Sequence, residues 1–157
     1  MLTVSIEDGS VAALATLPEQ VRDALMQKAA ALAALLQANI ARKLSGDVLN
    51  ARTGALARSI IALMQTGDTS IAVSIGPSGD IKYAGIHEHG GTIPPHAIVP
   101  NKAKALAFAV AGKHVFAARV DLPAITMPER SYLRAALAEL ADEIKDELSA
   151  AVIAALR

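Results

Sequence analysis

Cysteine is absent from the 157 residues, and so is tryptophan. The first absence excludes disulfides, thiol catalysis, cysteine-ligated zinc and iron–sulfur clusters, and it fits a reducing compartment. The second belongs to a wider scarcity: aromatic residues make up 3% of the chain, although 53% of it is hydrophobic. About a fifth is alanine, the strongest helix former and a side chain that buries little area. The core must then come from Leu, Ile and Val along extended helical surfaces. Such a chain often draws stability from contacts between subunits. Net charge is missing too. Lys and Arg number 15, as do Asp and Glu, so the basic excess of a dedicated nucleic-acid binder is not there. The opening MLTVSIEDGS places acids where a secretory signal needs basic and then apolar residues. The longest uncharged helical stretch, Ala29 to Ala41, is too short to span a bilayer and contains Gln37 and Asn39. The expectation is a soluble intracellular protein with no membrane partner.

The patterning that is present reads as one α+β domain over residues 1–157. Thr3 to Ile6 suits a short strand. TLPE, Thr16 to Glu19, reads as a capping box with Pro18 in the first turn. Val21, Leu25, Leu32, Leu36, Ile40 and Leu44 then recur on one face of a long helix, which Gly46 should stop. In RTGALARSI, Arg52 to Ile60, a helical turn started by Thr53 should run into a strand. Ser59 to Gln65 and Ser70 to Gly76 form a hairpin pattern around TGDT, and Ile71, Val73 and Ile75 alternate as one buried face. Ala103 to Ala111 and His114 to Leu122 form a second hairpin around Gly112-Lys113. Leu106, Phe108 and Val110 share one of its faces. Pro128 opens a last long helix to about Leu156, with Leu133, Leu137, Leu140, Ile144, Leu148, Val152 and Leu156 as its apolar stripe. The expected architecture is a small antiparallel sheet of two hairpins packed against an N-terminal and a C-terminal helix.

One stretch holds the residue types of zinc hydrolases: IHEHGG, Ile86 to Gly91. The zincin pattern needs a second histidine one helical turn after the first, and the position four after His87 is Gly91, so the pattern fails. On a strand, His87 and His89 would share a face and could bind a metal together. On a helix they point about 200° apart and could not. Tyr83, Ile86 and His87 at 3,4 spacing, with Gly90-Gly91 as a stop, favour a short helix. A small metalloenzyme on His87, His89, His96 and His114, with Glu88 as base, is the alternative to structural histidines. Other chemistry is absent: no serine elbow exists, and Gly112-Lys113 lacks the rest of a phosphate loop. No catalytic residue, metal or cofactor is expected. Glu139, Asp142, Glu143 and Asp146 read as a solvated helix face or as a charged contact. In the second case Arg22, Lys28, Arg42 and Lys43 are the candidate partners, within or between chains. Pro94-Pro95 and Pro100 stiffen a segment that is either a surface loop or a preordered contact arm.

Four segments in this order resemble a family: RTGALARSI (52–60), YAGIHEHGGTI (83–93), KAKALAFAVAGKHVFAARVDLPA (102–124) and MPERSYLRAAL (127–137). They are similar to tail or neck proteins of tailed bacteriophages, namely the virion-morphogenesis proteins of Mu-like phages and the tail-component proteins of siphophages. The likeness covers about residues 16 to 150. It departs at His89, where the family usually has an aromatic residue, and at Met127 to Leu133, where it often has P-x-R-P-F/Y-L. His89 is expected to pack in place of that ring. The resemblance implies a structural virion protein without catalysis, placed in the tail or neck and met in the host cytoplasm during assembly. It implies self-association as a ring, a hexamer in the family. It also implies contact with a tail-tube or tail-terminator protein and with head-connector proteins, and DNA only passing through the bore. Arg52, Arg58, His89, Thr92, Pro94, Pro95, Arg130 and Tyr132 are the candidate contact residues. A general helical protein-binding module is a further alternative.

Overall fold

A computed structural model describes residues 2–5, 18–50, 53–67, 70–79, 81, 83–101 and 103–156. In chain order the elements are strand β1 (Leu2–Ser5), helix α1 (Glu19–Arg42), a π-helical turn (Lys43–Asp47), helix α2 (Ala55–Ser59), strands β2 (Ile60–Thr66) and β3 (Ile71–Pro77), and helix α3 (Tyr83–His89). Six short strands follow: β4 (Gly91–Ile93), β5 (His96–Ile98), β6 (Leu106–Val110), β7 (Lys113–Ala117), β8 (Val120–Leu122) and β9 (Ile125–Met127). Helix α4 (Leu133–Ala155) ends the series. The α+β class with two long terminal helices is as the patterning implies.

The two long helices run antiparallel. Leu36, Ile40 and Leu44 of α1 and its π-helical turn meet Tyr132, Leu133 and Ala136 at the start of α4. Val21, Leu25 and Ala29 meet Leu148, Val152 and Ala155 at its end. Each fully buried aliphatic side chain contributes about 1.5–3 kcal/mol, and alanines at the crossing let the backbones approach. Charge pairs line the seam. Lys28 reaches Glu147 at 2.5 Å, and Lys43, itself buried, reaches Glu139 at 2.5 Å, with Arg42 at 3.4 Å from the same carboxylate. The Lys43 hydrogen bond, foremost, holds the Glu139 carboxyl below its usual pKa. So part of the acidic stripe on α4 has partners within the chain. Asp142, Glu143 and Asp146 remain exposed. Taken whole, Glu19–Asp47 is long and apolar enough by length and composition to cross a membrane, which the uncharged stretch Ala29 to Ala41 alone does not suggest. In this fold its apolar stripe packs on α4 and the sheet.

The sheet under the helices has three strands in the order β1-β3-β2, all antiparallel. Ile71 and Ile75 are buried on its helix side, as their alternation predicts. Thr16 of the expected capping box lies outside the described residues. Two expectations need correction. The second hairpin does not join this sheet. Residues 91–127 fold back on themselves as a ribbon of three nested two-stranded ladders, β4 with β9, β5 with β8 and β6 with β7. Prolines 94, 95, 100 and 123 interrupt the ladders because they lack the N–H a ladder needs. The last helix starts at Leu133, not at Pro128. Strand β9 holds residues 125–127 extended, and the cap that starts the helix comes from elsewhere in the chain.

Candidate assembly surface

The cap is Glu88. It sits on α3, 3% exposed, and both its carboxylate oxygens face the first turn of α4. Oε2 accepts the backbone N–H groups of Tyr132 (2.8 Å) and Leu133 (2.9 Å). Oε1 accepts the Arg134 N–H (3.0 Å), the Ser131 hydroxyl (2.7 Å) and the Arg134 guanidinium (3.3 Å). The first N–H groups of a helix have no partner of their own and carry its positive end, so a carboxylate there is doubly suited. Burial alone would raise the Glu88 pKa. The hydrogen bonds from Leu133, Ser131, Arg134 and Tyr132 outweigh it and hold the carboxyl below the usual value. The base expected of a metalloenzyme is thus an ionised carboxylate occupied at both oxygens. Among the described residues, no three of His, Cys, Asp or Glu gather where a metal could be held.

Helix α3 places the remaining IHEHGG residues. His87 is half-buried, meets the Tyr83 ring edge-on at 5.9 Å between centroids, and leaves its buried Nδ1 without a partner among the described residues. His89 is exposed, so it does not pack as an aromatic ring would. Gly90 has φ 67°, and a Cβ there would stand 2.8 Å from the Glu129 nitrogen. Only glycine fits that approach, which lets the chain leaving α3 run against the chain entering α4. The Arg130 N–H closes the junction on the His87 carbonyl at 2.8 Å. The ribbon therefore leaves and rejoins the body at one place.

The expected contact residues divide. Arg52 lies outside the described residues. Arg58 is exposed on α2; Thr92, Pro94 and Pro95 are exposed at the base of the ribbon, where the Thr92 hydroxyl stands 3.4 Å from that of Thr126. Arg130 is exposed at the junction and borders a cleft of about 480 Å3, whose walls include Leu44, Leu49, Leu56, Tyr83 and His87. Tyr132 is the correction. It is fully buried in the core, with its hydroxyl unpaired among the described residues, and burial followed by the Glu88 charge pushes its pKa up to about 12.

Residue patterning marked the outer part of the ribbon as a hairpin and its base as a loop or contact arm, but it did not single out the apolar tip. Both phenylalanines of the chain stand on its tip, exposed: Phe116 at 71% and Phe108 at 37%, with Val110 at 53%. Ile98, Val99 and Ile125 extend the exposed apolar area toward the base. Phe108 pairs with Val115 and Phe116 with Ala107, so each face of the tip carries one ring. Arg119 and Asp121 form an ion pair at 2.7 Å on the flank. A chain with few large side chains thus spends two of its four aromatic residues where no core covers them. Exposed apolar patches of this kind mark contact sites. No family model, no curated protein and no solved structure matches the chain.

Proposed function

We propose that the protein is a structural component of a bacteriophage tail or neck, which assembles as a ring and completes the tail or joins it to the head. The observation that carries the reading is the ribbon of residues 91–127. It is anchored at one junction, stands apart from the core, and exposes both phenylalanines. A body with its own core and a protruding apolar arm is built to touch a neighbour. The four-segment resemblance to phage tail and neck proteins supplies the class of neighbour: further copies, a tail-tube or terminator protein, and head-connector proteins. The zero net charge suits a ring through which DNA passes without being gripped.

The test is genetic. Removing the gene from a phage that carries it should leave heads and tails that do not join, and supplying the protein in trans should restore plaques. Normal infectious particles from the deletion would overturn the proposal.

A further inference from the structure

We infer that the ribbon tip of one copy docks on the outer strip of α4 of the next copy. This deepens the ring reading above and rests on it. Two complementary surfaces lead there. On α4, Asp142, Asp146, Ser149, Ile153 and Leu156 recur at steps of three and four, so they form one strip. The strip lies opposite the buried Leu133 and Ala136. Its N-terminal half is acidic and exposed, with Glu143 beside it and Lys145 at its edge. Its C-terminal half is apolar and open: Ile153 is 55% and Leu156 60% exposed.

The ribbon presents the opposite charge and the matching apolar groups. Among its described residues it carries three basic ones, Lys104, Lys113 and Arg119, against the single acid Asp121, and Arg119 is already paired with that acid. Lys104 and Lys113 are exposed on either side of Phe108 and Val110. The dimensions agree. Asp146 and Ile153 are about 10 Å apart along a helix, and Lys104, two residues before β6, stands at most about 14 Å from Phe108 within it. Phe108 can therefore reach the aliphatic end of the strip when Lys104 reaches its acidic end.

The two surfaces differ, so the contact is head-to-tail, and each copy gives one tip and receives one. Pairing of tip with tip would stop at a dimer and would bring Lys104 and Lys113 against their own copies, which like charge opposes. The contact rests on one hairpin tip and one charged helix strip, so association should depend on concentration and weaken with salt.

Sedimentation velocity on the purified full chain tests this, over a range of concentration at low and high salt. All the residues changed are exposed, and circular dichroism checks the fold of each variant. The wild type should associate. Asp142→Lys with Asp146→Lys should weaken association by about tenfold or more, as should Lys104→Glu. An equimolar mixture of the two variants should recover it, because each tip then meets a strip of opposite charge. Ile153→Asp should also weaken it. A wild type that stays monomeric overturns the inference and leaves the neck reading to the genetic test. Association that ignores both variants, or a mixture that does not recover, removes this docking site while leaving ring formation standing.

Discussion

Glu88 decides more than its neighbours do. One buried carboxylate receives three backbone N–H groups, a hydroxyl and a guanidinium, from a segment more than 40 residues away. Glu88→Ala should destabilise the fold by about 2–4 kcal/mol in urea unfolding, because the donors stay buried without an acceptor. Its folded pKa lies below that of an ordinary glutamate. The stability it contributes is therefore complete above the ordinary value and is lost as pH falls through the folded pKa. Glu88→Gln should remove this acid-side loss, and a wild-type-like pH profile in the variant would reject the assignment. Gly90→Ala should cost about 2–3 kcal/mol, since φ 67° and the Glu129 backbone both exclude a Cβ. Tyr132→Phe should be neutral or stabilise by up to about 1 kcal/mol, because it deletes a buried hydroxyl with no described partner. A loss above that would mean that the hydroxyl has a bond.

At the scale of elements, the helix pair was legible and the ribbon largely was not. The six residues from Val21 to Leu44 read as one face are all buried, because a 3.6-residue period leaves the same mark in sequence and in packing. The β2–β3 hairpin and the short α3 helix were legible for the same local reasons. The start of α4 was not. Helix propensity begins at Pro128, but the acceptor for its first N–H groups is tertiary, and no local pattern points from Leu133 back to Glu88. The nested ladders were hidden as well. Gly91 pairs with Met127 across 36 residues, and the prolines between them read as a surface loop or a preordered arm rather than as part of a ladder. Tyr132 lay in a segment chosen by resemblance as a contact, and burial could not be read from that. The seam charges give an element-scale prediction. Glu139→Gln should lower the Tm more than Asp142→Asn, since it strands the buried Lys43, whereas Asp142 is exposed.

For the whole molecule, body and ribbon should separate. Ile93 and Ile125 are opposite one another in the ladder, so a two-residue Asn-Gly turn can replace residues 94–124. The shortened chain should keep its helical circular dichroism and a Tm within a few degrees of the full chain, because the main buried clusters lie outside the excised segment. It should lose self-association. A collapse of the fold would show that the ribbon belongs to the core. The shared point of exit and return has one more consequence. A segment that starts and ends at the same junction can grow or shrink by whole ladder pairs, altering its reach by about 3.3 Å per pair, with no change of register in the body. Span then becomes a property that inheritance can adjust separately from folding. One body could serve assemblies of different girth through the length of a single insert.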